Sequence, residues 1–241
     1  MTDPRDWFQT PPGRYLLDWE RARCDAALAD VFGYHALQIG LPEIDALAAN
    51  RMPHHWLALT APPRQSLDDP RQILVADSAA LPFAECSLDL VVLPHTLERS
   101  ADPHASLREV QRVLVHEGRV AIAGLNPASL WGLFPPDIGQ SIGHWRLRDW
   151  LRLLEFELES ISFGCYRPVA RSEGALARFR WMDRMGARWW PIFGAAYFMV
   201  AVKRTRGARL VGPAWKAAPA VAGAPASVTR RANASKKEKT S

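Results

Sequence analysis

Short apolar runs recur along the first half of the chain, separated by stretches that mix charged and apolar residues. The runs span residues 35–40, 54–60, 71–77, 88–94 and 117–125 and are mostly aliphatic. Runs of this length without strict alternation are typical of strands that are buried on both faces. The pattern therefore predicts five strands of a parallel sheet.

The intervening stretches have helical spacing. Residues 13–32 place apolar side chains at three- and four-residue intervals, which predicts an N-terminal helix. A second helix is predicted within 100–118, where Asp102 is suited to cap the first turn, Pro103 to occupy its first position and Gly118 to stop it. Strands that alternate with amphipathic helices indicate an α/β protein.

The second half of the chain is rich in tryptophan and arginine. Residues 146–160 predict a helix, and residues 158–163 and 195–204 predict two strands. Residues 172–190 predict a helix between those strands, with Ser172 as its cap. This helix is an insertion before the last strand.

The net charge of +5 over 241 residues comes from the end of the chain. Residues 203–241 hold ten Lys/Arg and one acid, so that residues 1–202 carry twenty basic and twenty-four acidic groups. The basic overall balance therefore does not indicate a nucleic-acid-binding domain. We predict one folded domain over 1–204 and a disordered, basic, Ala/Pro-rich tail over 205–241.

Compartment and membrane signals point to a cytoplasmic protein. Cys24, Cys86 and Cys165 are widely spaced and odd in number, as expected for reduced thiols. The first residues contain acids and prolines and no apolar signal core. The longest apolar run, 189–202, is shorter than the roughly 20 residues that a spanning helix needs.

Residues 72–124 resemble the class I S-adenosylmethionine-dependent methyltransferases, in particular the small-molecule (type 11-like) group. The elements that carry the resemblance occur in order and at normal spacing: a strand that ends in Asp77, the LPF loop 81–83, the LDLVV strand core 88–92, the HTLE segment 95–98 and the RVL-x-x-x-G unit 112–118. The LNPASLWGL segment 125–133 and the Trp-Trp-Pro at 189–191 resemble a narrower, poorly characterised bacterial subgroup. The resemblance implies a Rossmann-like fold with a mostly parallel seven-stranded sheet, helices on both faces and S-adenosylmethionine as the cofactor.

The same resemblance assigns residues to the cofactor site. Those expected to line it are Gln38, Gly40, Thr60, Asp77, Ser78, Pro94 and His95. The family has an acid where this chain has Gln38 and another where it has Thr60, and Pro42 removes a backbone donor from the glycine loop. Loss of two charged anchors costs about 3–6 kcal/mol of binding. Asp77 is the retained anchor, expected to accept from the adenine amino group.

Two neighbouring residues are candidates for acid–base chemistry. His95 follows a predicted strand end, and Glu98 lies one helical turn later. The alternatives are a loop histidine whose hydrogen bonds are satisfied and a glutamate that caps or forms a salt bridge. The other histidines have no metal-ligand spacing, so no metal site is expected.

Three functions remain open at the level of sequence. The first is methyl transfer from S-adenosylmethionine to a small-molecule or lipid-like acceptor. The second is a non-catalytic methyltransferase-like domain that binds a partner or acts as a scaffold. In the third, helix 172–190 and the tail make weak contacts with membranes or RNA; the alternative for that helix is a cap on the sheet with a solvated basic face.

Overall fold

Seven strands form one continuous sheet in the computed structural model, which describes residues 7–63, 69–133, 140–169 and 172–204. The strands are β1 (His35–Ile39), β2 (His54–Leu59), β3 (Gln72–Val75), β4 (Leu88–Pro94), β5 (Leu114–Leu125), β6 (Phe156–Gly164) and β7 (Ala196–Lys203). The predicted tail, 205–241, lies outside the described residues.

The order of the strands is β3-β2-β1-β4-β5-β7-β6. All neighbours from β3 to β5 pair in parallel, and β7 is antiparallel to both β5 and β6. The fold predicted from the resemblance, a mostly parallel seven-stranded sheet, is therefore confirmed. The carboxyl ends of β1 to β6 and the start of β7 all lie at one edge of the sheet, which we call the carboxyl edge.

Alternating side chains of the central strands pack into two hydrophobic cores, one on each face of the sheet. Leu37, Val91 and Ile122 contribute to one core, and Ala36, Val92 and Ala121 contribute to the other. Because successive strand residues point to opposite faces, both faces of the sheet must be covered.

Helices cover both faces. They are α1 (Pro11–Leu28), α2 (Thr96–Arg99), α3 (Pro103–Val113), α4 (His144–Leu153), α5 (Glu173–Arg178) and α6 (Trp181–Trp189). One core receives α1 through Cys24 and Leu28, whereas α3 and α4 pack on the other. The predicted N-terminal helix starts at Pro11, two residues early, because Thr10 accepts a hydrogen bond from Gly13 N–H and caps it.

The end predicted for the helix in 100–118 is wrong. Asp102 caps α3 as expected, accepting from Ala105 N–H, but α3 ends at Val113. Leu114 is already the first residue of β5 and pairs with Leu88 of β4. Gly118 lies inside that strand, at an irregularity where a Cβ would approach Val115 O to 2.9 Å. Gly118 therefore permits a close backbone approach rather than stopping a helix.

Two further helix boundaries are also corrected. The helix predicted over 146–160 ends at Leu153, because Glu155 adopts a left-handed turn and the alternating residues after it form β6. The helix predicted over 172–190 is two helices, α5 and α6, which are separated at Phe179–Arg180. Ser172 caps α5 as predicted by accepting from Ala175 N–H.

Candidate functional site

A cavity of about 260 Å³ opens at the carboxyl edge, where the chain passes from the β1–β2–β3 half of the sheet to β4. This reversal of strand order is the point at which open α/β sheets bind ligands. The cavity is lined by Ile39, Gly40, Leu41, Pro42, Leu59, Thr60, Ala61, Ser78, Pro94, Thr96, Arg99 and Ser100.

Gly40 permits the turn that leaves β1. Its φ is +76°, in the left-handed region that glycine adopts without strain. An added Cβ would lie 3.5 Å from Thr96 Oγ1, an ordinary contact, so the backbone angle and not lack of space requires glycine here. Its N–H donates to Ala58 O at 2.7 Å and is not directed at the cavity.

Gln38 does not reach the cavity. Its side chain is fully buried, with Nε2 within 3.1 Å of the carbonyl oxygens of Gly40, Leu41 and Ile44. Its Oε1 accepts from Ala46 N–H and from the buried guanidinium of Arg71. The predicted cofactor contact of Gln38 is thus corrected: the amide holds the loop after β1 in place.

An amide rather than a carboxylate occupies this position for a physical reason. The loop turns three carbonyl oxygens toward residue 38, and carbonyls accept hydrogen bonds but cannot donate them. A carboxylate at this position would repel the same oxygens. The loop conformation and Gln38 therefore belong together, and the family's acid does not fit this loop.

Three of the other predicted cofactor residues line the cavity with Gly40: Thr60, Ser78 and Pro94. Thr60 is exposed at the end of β2, and Ser78 Oγ is hydrogen-bonded to Ser106 Oγ at 2.7 Å. Asp77 is exposed just beyond the lining, and its carboxylate accepts from Ala79 N–H. Asp77 remains a prediction that its position beside Ser78 permits.

His95 is enclosed between two carboxyl groups. Its Nε2 lies 2.7 Å from Glu20 Oε1, its Nδ1 lies 2.6 Å from Glu98 Oε2, and all three side chains are buried. Glu98 Oε1 also accepts from Leu125 N–H at 2.6 Å. This Glu20–His95–Glu98 cluster joins α1, the β4–α2 turn and β5.

The cluster keeps His95 charged. Burial alone would lower the pKa of His95, but the carboxyl groups of Glu20 and Glu98 outweigh it and raise the pKa to about 10. Both ring nitrogens can then donate at once. Because His95 has no exposed surface, the acid–base and cofactor-contact roles predicted for it have no accessible atom and are corrected to a structural role. The Glu98 side chain is 3% exposed and its two oxygens are bonded to His95 and to Leu125 N–H, so the base role predicted for it is corrected in the same way.

Arg99 is a lining residue that the sequence reasoning missed. It is exposed at the end of α2 and contributes the formal charge among the side chains that line the cavity. The lining as described contains no carboxylate and no histidine. The available signal was its position directly after the HTLE segment, one residue beyond the part that the family pattern marks.

Metal and membrane-spanning features are not found in the part of the chain that the structure describes. No three His, Cys, Asp or Glu side chains in the described ranges converge as metal ligands. Across the same ranges, no helix combines the length and apolarity that crossing a bilayer requires.

The strand order, the antiparallel β7 and the cavity at the switch point define a Rossmann-like methyltransferase fold, and comparisons agree. A family model described as a methyltransferase domain matches residues 37–122. The uncharacterized protein YafS of Escherichia coli is 30% identical over 211 residues, which span 84% of this chain and 82% of YafS. The chain belongs to the class I S-adenosylmethionine-dependent methyltransferase superfamily.

Solved structures agree in fold. A SAM-dependent methyltransferase of Thermotoga maritima aligns with a TM-score of 0.60 at 14% identity, covering 83% of this chain and 94% of that one. A chain in the complex between the Haloferax volcanii Trm112 methyltransferase activator and a methyltransferase aligns with a TM-score of 0.57 at 20% identity, covering 78% and 90%.

S-adenosylmethionine is the cofactor that this membership implies. The cavity lies at the position in the sheet expected for a cofactor, but its described lining lacks acidic groups that would pair with the cofactor's ammonium group and ribose. The turn at Gly40 and the hydroxyls of Thr60 and Ser78 line the cavity at the switch point, and the guanidinium of Arg99 can pair with a carboxylate. The described lining contains no Asp or Glu that could accept hydrogen bonds from the cofactor's ammonium group or from its ribose hydroxyls. The volume is slightly below the roughly 300 Å³ at which ligand pockets usually begin.

Exchange of the buried amide for an acid tests its structural role. We expect Gln38→Glu to lower the free energy of unfolding by about 1–3 kcal/mol, because three carbonyl oxygens lose their donor. The same exchange should give no gain in S-adenosylmethionine affinity. Urea denaturation and calorimetry measure the two quantities. Gln72→Glu, at an exposed position in β3, is the control that should leave both unchanged; tighter cofactor binding by Gln38→Glu would contradict the assignment.

The His95 cluster makes stability depend on pH. The pKa of His95 is about 10 in the folded protein and about 6.5 in the unfolded chain. The contribution of the charged imidazole to the free energy of unfolding is therefore complete below pH ~6.5 and is lost as the pH rises toward 10. At the acidic end of this window, His95→Gln should lower the free energy of unfolding by about 3–5 kcal/mol, because two buried carboxyl groups lose their cation. Denaturant unfolding across this window should show the difference shrinking. His116→Gln removes an exposed histidine and should show no such trend.

Proposed function

We propose that this protein transfers a methyl group from S-adenosylmethionine to a small-molecule or lipid-like acceptor. The observation that carries the proposal is the cavity at the β1–β4 switch point, where Gly40 turns the chain and the hydroxyls of Thr60 and Ser78 line the wall. The bound cofactor would supply an electrophilic sulfonium methyl group, so the chain's own residues have to bind, orient and exclude water.

The residues proposed to hold the cofactor divide by chemistry. Thr60 would hydrogen-bond the ribose, and Ser78 with neighbouring Asp77 would meet the adenine. Arg99 would pair with the cofactor's carboxylate. Pro94 would pack against it as an apolar wall.

The lining also constrains the acceptor. The described lining holds no carboxylate and no imidazole, and the nearby His95 and Glu98 are buried, so the lining supplies no general base for the acceptor. We therefore propose an acceptor that already carries a free lone pair near neutral pH, such as a thiolate or an amine that is unprotonated at that pH. Hydroxyl acceptors would need a base that these residues do not supply.

A second candidate is a non-catalytic domain that binds a partner. It is favoured by the same missing acids, because without them the cofactor loses its charged contacts. Fold alone does not distinguish the two functions, since one fold carries many chemistries. One structural neighbour was solved in a complex with the Haloferax volcanii Trm112 methyltransferase activator, so a domain of this fold can bind a protein partner.

Restoring an acid at the end of β2 tests the cofactor site directly. Thr60→Asp should tighten S-adenosylmethionine binding about 10- to 100-fold, because a carboxylate can accept from the ribose hydroxyls with a charge-assisted bond. Titration calorimetry with S-adenosylmethionine and S-adenosylhomocysteine measures it. Thr60→Asn, of the same size and uncharged, is the matched control. If neither the parent nor Thr60→Asp binds the cofactor even at millimolar concentration, the enzyme proposal is wrong and the non-catalytic partner-binding function takes its place.

A further inference from the structure

Large apolar side chains are concentrated on the surface between β6 and β7. Of the fifteen exposed large apolar residues found within the described ranges, six lie within residues 181–193. They are Trp181, Met185, Trp189, Trp190, Ile192 and Phe193. We call residues 181–193 the aromatic segment. A contiguous apolar surface of this kind marks a site of interaction.

A groove of about 580 Å³ runs along the aromatic segment, and its walls are almost entirely apolar. One wall is the turn after β5, from Pro127 to Leu130, and the other is α6 with the residues after it. The volume falls within the roughly 300–1,000 Å³ range of small-molecule sites. The groove therefore has the size and chemistry to hold a hydrocarbon chain.

The segment is anchored, so its exposure does not come from loose packing. Gly186 lies against Tyr166, where an added Cβ would come within 2.3 Å of the ring. Tyr166 donates to Pro191 O at 2.9 Å, and Asn126 Nδ2 donates to Ile192 O at 2.7 Å. These contacts hold one side of the segment on the fold and leave the aromatic side outward.

Arginines form a row beside the apolar face. Trp181, Met185 and Trp189 follow four-residue spacing along α6, and Arg184 and Arg188 follow the same spacing one position earlier. Residues at this spacing share a helix face, so the two rows run side by side. Arg180, which is exposed at the N-cap of α6, continues the same four-residue spacing, and Arg178 is exposed at the end of α5.

The charge of this row is not neutralised by the fold. The two acids of 172–193, Glu173 and Asp183, are paired with Arg14 at 3.2 Å and Arg167 at 2.6 Å. Within the described residues, none of the arginines from 178 to 188 has an ion-pair partner. The surface thus combines free cations with exposed tryptophans.

We propose that the aromatic segment docks this protein on an anionic lipid bilayer. The arginine row contacts lipid phosphates, the tryptophans lie at the headgroup level, and the groove accepts an acyl chain. This arrangement, apolar on one side and cationic beside it, is that of an interfacial helix. The surface is distinct from the cofactor cavity, and bilayer docking does not require methyl transfer.

The composition of the surface favours lipid over RNA. Single-stranded RNA binds to basic grooves in which separate aromatic rings stack on bases. Here the groove wall is almost entirely apolar, and Met182, Met185 and Phe193 offer RNA no hydrogen bonds. Lipid chains need none.

Sedimentation with vesicles tests the proposal using the full chain. We expect binding to phosphatidylcholine vesicles that contain phosphatidylglycerol, weaker binding at high salt and little binding to phosphatidylcholine alone. The variant Arg184→Glu/Arg188→Glu should weaken binding at least about tenfold, because four units of charge are changed. The variant Trp189→Ser/Phe193→Ser should weaken it about as much while the charge stays the same.

Matched controls separate the aromatic segment from the basic tail, which every variant keeps. Arg23→Glu/Arg51→Glu makes the same charge change at two exposed arginines elsewhere, and Phe32→Ser/Tyr34→Ser removes two aromatics that are 78% and 72% exposed at the opposite edge of the sheet. Both controls should bind vesicles like the parent, and all variants should keep the parent's circular dichroism.

Three results would overturn the proposal. The first is no vesicle binding by the parent. The second is segment variants that bind within about twofold of their controls, as tail adsorption would give. The third is binding of RNA or of a second copy through this surface, seen by gel shift or size exclusion, in the absence of vesicle binding. None of these readouts depends on S-adenosylmethionine, so failure of the proposed enzyme function leaves the test intact.

Discussion

The carboxyl edge of this fold depends on one buried cation. His95 donates to carboxyl groups from α1 and α2, and Glu98 in turn accepts from the backbone of β5. Three chain segments that are distant in sequence are thereby fixed around one ring. The turn that positions His95 has φ of +52°, a left-handed conformation that histidine adopts more readily than most residues. The ion cluster offsets the strain of that turn, and the residues on either side of His95, Pro94 and Thr96, line the switch-point cavity.

A second buried polar group shapes the opposite wall. Gln38 satisfies the carbonyl oxygens of the loop that leaves β1, and Arg71 completes its hydrogen bonds. A loop organised this way cannot also use residue 38 to hold a cofactor. The replacement of the family's acid is therefore a consequence of loop structure, and any charge that the cavity offers a ligand comes from other positions. Arg99 is the one the described lining provides.

The fold was predictable because its information is local and periodic. The runs at 35–40 and 88–94 gave the central strands within a residue, and the caps Asp102 and Ser172 were read correctly. The predicted helix ends at Gly118 and beyond Leu153 are wrong because the residues there fit both helical and strand spacing. Pairing with neighbouring strands makes them part of β5 and β6. The site was less predictable, since the same sequence position can face a ligand or the core. Nothing in the spacing of Glu20 and His95, seventy-five residues apart, indicates that they meet.

Sheet topology also determines how the two surfaces at the carboxyl edge relate. Because β7 is antiparallel, its start lies beside the ends of β5 and β6, so the aromatic segment emerges at the same edge as the cofactor cavity. A packed cluster that includes Phe8, Leu41 and Trp131 occupies this edge as well, and Leu41 also lines the cavity. The switch-point cavity and the groove of the aromatic segment have no lining residue in common, so a ligand in one would not occupy the space of a ligand in the other.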